Sequence, residues 1–203
     1  GDRVIEITAM NGLYYQSLDK ELLTLLRTVG MRRLNLSLVA HSRSTSERMK
    51  RTLDVKHCTD VVLAARQLGM HVTVYFIIGL PGETVDDMLD SLATLAELPV
   101  LVGPSIYYHV PGSDLFNDLE DKGAVTKNDY PFFRSTAMFY EGEHFNRTDI
   151  ATVFRLTRII NFMKSFTGKE LWVAMPDDHV KTDKALSPHM LGLLLLKAFL
   201  RDK

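Results

Sequence analysis

Polar and aromatic side chains gather at the ends of apolar, β-branched runs in this sequence, and they are the residues with chemistry to offer. The run Val74-Tyr75-Phe76-Ile77-Ile78 passes into Gly79-Leu80-Pro81-Gly82-Glu83-Thr84, a strand meeting a helix start through a glycine-bounded turn. Ile77 and Ile78 must face opposite ways, so one of them is placed to pack under a planar ring. Gly79 carries no side chain to hold such a ring off the backbone. Glu83 and the free amides of the helix start suit a polar or anionic group. Other run ends bring Thr8 and Asn11, then Ser37, His41 and Ser42, then Tyr107, Tyr108 and His109. Parallel strands would bring all of these to one rim, the place where α/β folds bind ligands. Strand ends are also where any chain turns to solvent, so the two readings stand level at this point.

The sequence excludes several chemistries. The Gly79–Thr84 turn lacks the lysine and the spacer of a P-loop. Neither Ser42 nor Ser105 lies in a G-x-S-x-G elbow. A single cysteine, Cys58, rules out an internal disulfide framework and any zinc or iron–sulfur site built from this chain's thiolates alone. His57-Cys58 has no second pair at metal-ligand spacing, and Asp177-Asp178-His179 reads as solvated acids in a loop. With a net charge of -1 and interspersed signs, the chain offers no basic face to a nucleic acid. Leu191 to Leu200 carries Lys197 and falls well short of the roughly 20 apolar residues a membrane span needs. Without a leader pattern, the cytoplasm is the expected compartment.

The elements that must position the rim follow from periodicity and capping. At 203 residues and 46% hydrophobic, the chain has material for one good core. Strands are expected at Val4–Ala9, Leu34–Val39, His71–Ile78 and Leu101–His109. Helices are expected over Leu18–Val29, from Ser44 to about Leu53, over Thr59–Leu68, and from a Thr84/Asp87 cap to about Leu98. Strands alternating with helices imply parallel pairing with right-handed crossovers. Past Pro111-Gly112-Ser113 the pattern turns helical: Asp114–Lys122, Asp149–Phe166 and Pro188–Leu200, with an aromatic stretch from Tyr130 to Tyr140 that reads mainly as cover for the sheet. The expected fold is therefore α/β: a partial (β/α) TIM-like barrel over residues 1–116, with a helical C-terminal extension over 117–203 packed on it.

Three motifs in order carry a family resemblance: Asn11-Gly12-Leu13, then Gly79-Leu80-Pro81-Gly82-Glu83-Thr84, then Ile106-Tyr107-Tyr108-His109-Val110-Pro111-Gly112-Ser113. Together they resemble radical S-adenosylmethionine (SAM) enzymes, most closely the branch that often carries an N-terminal cobalamin-binding domain. The resemblance covers roughly residues 4–116. It implies a partial or full (β/α) barrel in which a CxxxCxxC loop holds a 4Fe-4S cluster that chelates SAM. Reductive cleavage then yields a 5′-deoxyadenosyl radical. It leaves room for cobalamin as a further cofactor.

Carried over by position, Ile77 and Gly79 match the strand that packs on adenine, and Tyr107, Tyr108 and His109 match the strand that meets its edge. Ser37 and Ser42 match the strand end near the ribose or methionyl group, and Arg51 a helix that often carries a basic residue. Where many relatives end the second of these strands in glutamate, this chain has Val39-Ala40-His41. His41 is the candidate substitute. The CxxxCxxC motif is absent, and the sequence opens almost within its first strand. The expectation is thus a C-terminal part of a radical SAM enzyme, itself inactive, whose cluster ligands lie in a missing N-terminal part of the same protein and whose substrate is unknown. A bare Val4–Ala9 edge would invite self-association unless the C-terminal segment covers it. The alternative is a half-barrel interaction module without a cofactor.

Overall fold

Three apolar runs with alternating polar residues pair in parallel to make the centre of the molecule. The computed structural model describes residues 5–38, 54–123, 125–135, 137 and 140–166. The strands are β1 (Leu13–Tyr14), β2 (Arg33–Leu38), β3 (His71–Ile78) and β4 (Leu101–Ile106), in the spatial order β1-β2-β3-β4. Every pair is parallel, with Leu13 opposite Leu36, Ser37 opposite Tyr75 and Ile77 opposite Ser105. The helices are α1 (Lys20–Thr28), α2 (Val55–Gln67), α3 (Val85–Glu97), α4 (Asp114–Asp121) and α5 (Arg147–Phe166). This is the expected partial barrel of parallel strands, and its sheet is open rather than closed.

Each strand alternates because only one of its faces meets helices. Leu34, Leu36 and Leu38, Val72, Val74, Phe76 and Ile78, and Val102 and Ile106 are buried in one cluster with Leu23, Val62, Leu92 and Val153. A parallel sheet buried on both faces would read as continuous apolar runs. Here the opposite face carries Asn35, Ser37, Thr73, Tyr75 and Ser105, all partly exposed. Tyr75 lies across Gly103, where an added Cβ would come within 2.6 Å of the ring.

Local chemistry sets the helix starts. Asp19 Oδ1 accepts from Leu22 N and Asp54 Oδ1 from His57 N, each at 2.8 Å. Thr84 and Asp87 form the expected reciprocal capping box. The α2 helix begins at Val55, a turn ahead of the expected Thr59, because Asp54 supplies the cap.

The first strand differs from expectation. Residues 5–9 make one isolated parallel bridge, Ile7 to Met31, and the ladder resumes only at Leu13. The Asn11-Gly12 turn interrupts the strand instead of ending it, with Gly12 at φ +79. Asn35 Nδ2 donates to Ala9 O at 3.1 Å and ties the interruption to β2. The expected helix from Ser44 and the one from Pro188 lie outside the described residues, as does Asp177-Asp178-His179.

The far side of the sheet is closed by side chains. Asn161 on α5 accepts from Val102 N at 2.9 Å and donates to Val102 O at 2.8 Å, imitating a neighbouring strand. Pro104 has no N–H to offer, and Ile106 N donates to Ser135 O at 3.1 Å. Lys164, buried on α5, donates to Leu95 O and Val100 O at 3.2 and 2.9 Å. These bonds seat α5 against β4.

Candidate functional site

The carboxyl ends of β2, β3 and β4 border a cleft of about 650 Å³. Ser37, Ile77, Ser105, Tyr107 and Tyr108 line it, with Met10 and Asn11 on the side of the interrupted first strand. Ile77 is on the cleft face and Ile78 is fully buried under the helices, which settles the alternation in favour of Ile77. Toward the amino ends of the strands a second depression of about 460 Å³ is lined by polar residues that include Asn35 and Thr73. There Arg33 and Glu6 pair at 3.4 Å. Met10 and Tyr75 border both spaces.

Of the residues nominated from sequence, Ser37, Ile77, Tyr107 and Tyr108 come together here. Gly79, Glu83 and His109 do not line the cleft. The open face expected at Gly79 is filled: a Cβ there would lie 2.8 Å from Ile150 Cδ1 and 3.5 Å from the Phe145 ring. With φ at +80, that position needs glycine for its backbone and for the packing of α5. Glu83 is fully buried, and its Oε2 accepts from Gly79 N and Leu80 N, both at 2.8 Å. It shapes the strand-to-helix turn from inside and presents no carboxylate to a ligand. His41, Ser42 and Arg51 lie outside the described residues. Sequence reasoning passed over Tyr75 and weighed Ser105 only as a nucleophile. Register with Ile77 was the signal that puts Ser105 on the rim.

An aromatic cluster backs the cleft. Tyr107 Oη lies 3.2 Å from His109 Nδ1. Tyr140 stands edge-on to His109, with centroids 4.6 Å apart, and Phe145 lies behind Tyr140 at 5.8 Å. Burial pushes the Tyr107 phenol up to about 12, with Tyr140 adding to the effect, and pushes His109 below its ordinary value. Both side chains are therefore neutral at pH 7.

The donor set for a metal is poor. Among the described residues no group of three or more His, Cys, Asp or Glu side chains is placed to hold an ion. Cys58 is buried on α2, and desolvation raises its thiol to about 11, far from the thiolate that iron or zinc requires. The residues described here do not fit an iron–sulfur cluster.

A parallel sheet with helices on one face and a largely apolar cleft with a few polar groups at the strands' carboxyl ends is the arrangement of a partial (β/α) barrel. Residues 6–95 match the sequence profile of the Radical SAM superfamily, and that match supports membership of the superfamily. In structure it is similar to the coproporphyrinogen III oxidase HemN of Escherichia coli, a radical SAM enzyme, at TM-score 0.52 and 20% identity over 72% of this chain and 31% of that one. It is also similar to the radical SAM methyltransferase TsrM of Kitasatospora setae, solved with cobalamin and a [4Fe-4S] cluster, at TM-score 0.49 and 18% identity over 55% of this chain and 22% of that one. The chain thus spans about a third of HemN's length. No curated protein sequence matches it. Among the described residues no helix is long and apolar enough to cross a membrane.

Proposed function

We propose that this chain supplies one part of the barrel of a radical SAM enzyme, and that the adenosyl portion of SAM lies in the cleft over Ile77. Tyr107 and Tyr108 form the wall beside it, and the hydroxyls of Ser37 and Ser105 face its polar edges. The observation that carries this reading is the meeting of those side chains on one cleft at the carboxyl ends of β2–β4, in a chain that matches the superfamily profile over residues 6–95. Neutral aromatic and aliphatic groups suit a purine, and two serines suit a ribose. His41, Ser42 and Arg51 remain candidates for the methionyl end.

In this family a bound 4Fe-4S cluster and SAM together supply a carbon-centred radical that abstracts a substrate hydrogen. This chain's part is to bind and orient the nucleoside and to keep water from it. The cluster cysteines belong to another segment of the same protein, which we assign to the open β1 side of the sheet. The isolated chain is then inactive, and self-association through that side is its expected behaviour. Substrate and reaction type, cobalamin use included, are set by that larger protein.

Two measurements test the reading. SAM binding to the chain, followed by NMR shift perturbation, should move Ile77 and Tyr107 resonances and vanish in Ile77→Asp; shifts confined elsewhere would overturn it. Iron and sulfide reconstitution of the chain should give no SAM cleavage. Stoichiometric cluster with turnover would refute the division of labour and place the ligands within this sequence.

A further inference from the structure

His109 is 2% exposed and does not border the cleft, whereas Tyr107 does. The two rings meet edge to face with centroids 5.1 Å apart, and the Tyr107 hydroxyl lies 3.2 Å from His109 Nδ1. Tyr140 closes the box from the segment ahead of α5, edge-on to Tyr107 at 5.9 Å, and Phe133 lies edge-on to the imidazole at 6.4 Å. A phenol turned into such surroundings needs a hydrogen-bond partner, and the unprotonated nitrogen of a neutral imidazole accepts. Tyr107 is also held at its backbone, where its N–H donates to Ile78 O at 2.9 Å. Anchored at both ends, the ring keeps one orientation.

We propose that His109 is a positioning residue for Tyr107: its Nδ1 accepts the phenol hydroxyl and fixes the ring that walls the cleft, so that ligand affinity depends on the protonation of a histidine the ligand never touches. The proposal rests on the adenosyl reading above. Burial holds His109 below the ordinary histidine value, so it is a neutral acceptor at pH 7. The titratable groups that face it are Tyr107 on its own segment and Tyr140, whose hydroxyl is also raised by burial. Both stay uncharged across the range where a histidine titrates. On acidification the imidazolium donates from both nitrogens. The bond must then reverse, the phenol proton loses its acceptor, and the box has to bury a charge. On the acid side of the lowered histidine value the hydroxyl has to turn to accept while its proton goes unpaired, so the Tyr107 ring is held less well and the cleft wall loosens.

The test is the affinity of the whole chain for 5′-deoxyadenosine by calorimetry between pH 8 and pH 5.5. Wild type should bind uniformly from pH 8 to near neutrality and weaken at the acid end by less than tenfold, because His109 titrates below the ordinary histidine value, which is itself only about one unit above pH 5.5. His109→Phe keeps the ring but not the acceptor; it should bind about tenfold more weakly at pH 8, with no pH dependence. His109→Asn returns an oxygen acceptor near the Nδ1 position and should recover most of the affinity without the acid loss. Tyr107→Phe should match His109→Phe, and it serves in its place if that variant fails to fold. Wild-type affinity and acid dependence in His109→Phe, or no recovery in His109→Asn, would overturn the proposal. If wild type binds no 5′-deoxyadenosine at any pH, the adenosyl reading has failed. The pair is then decided by the NMR titration of His109, which Tyr107→Phe should shift; an unmoved titration overturns the pairing.

Discussion

Replacing Gly79 with alanine separates two reasons for a glycine at the end of β3. The first is backbone: φ is +80, and the left-handed region costs a residue with a Cβ about 1–2 kcal/mol. The second is packing: the new methyl would lie 2.8 Å from Ile150 Cδ1, an atom of a side chain only 1% exposed. Overfilling a packed site costs about 1 kcal/mol or more, so Gly79→Ala should destabilise by about 2–3 kcal/mol in all. Ile150→Val removes Cδ1 and by itself should cost about 1 kcal/mol. In the double variant the clash is gone while the backbone cost remains. The two changes together should therefore cost about 1 kcal/mol less than their sum, a coupling outside the roughly 0.5 kcal/mol scatter of independent sites. Urea unfolding of the four proteins measures this. At a slope of about 2 kcal/mol per molar, the coupling moves the midpoint by about 0.5 M. Additive losses would refute the argument that α5 occupies the space beside Gly79, and would reopen that face to a ligand.

Other substitutions test the remaining supports. Glu83→Ala strips the partner from two buried amides and should destabilise by about 3–6 kcal/mol, at 1.5–3 kcal/mol for each charge-assisted bond; Glu83→Gln, which keeps an acceptor, should lose less than half of that in the same urea series. Asn161→Ala leaves the buried Val102 N–H and C=O unpaired at the β4 margin, so urea unfolding should show a loss of about 1–3 kcal/mol. Cys58 has its thiol raised from 9.0 to about 11, so at pH 8 its thiolate is about a hundredfold scarcer than in the unfolded chain, and iodoacetamide should label native protein at least that much more slowly than protein in urea. The sign for stability follows: the folded state holds the thiol protonated, so this contribution is complete below pH 9 and is lost as the pH rises toward 11.

The parallel strands could be read in advance because Leu34, Leu36 and Leu38, and Val72, Val74 and Phe76, repeat every second residue between capped helices. The Thr84/Asp87 box was equally plain, since its signal is local. The first strand was misjudged because Asn11-Gly12 looks the same whether a turn ends a strand or interrupts it. Only the Asn35 contact to Ala9, made across 26 residues, decides that question. Strand parity put one of Ile77 and Ile78 on the cleft face, and the burial of Ile78 shows that it is Ile77. Gly79 and Glu83 were read as ligand contacts because sequence reveals which residues occupy a turn but not what packs against it. Ile150 arrives from α5, far along the chain. His109 lies off the cleft for a related reason, packed against Tyr140 and Phe133.

The amide of Asn161 gives the sheet a direction of growth. With Val102 paired to Asn161, the Ile106 N–H given to Ser135 and Pro104 lacking an N–H, an incoming strand finds no free donor at these three positions beyond β4. On the opposite margin β1 contributes only two residues, Leu13 and Tyr14, and among the described residues no strand pairs with their outer side. Any enlargement of this half-cylinder must therefore proceed from the β1 margin, and one carboxamide acts as its terminal stop.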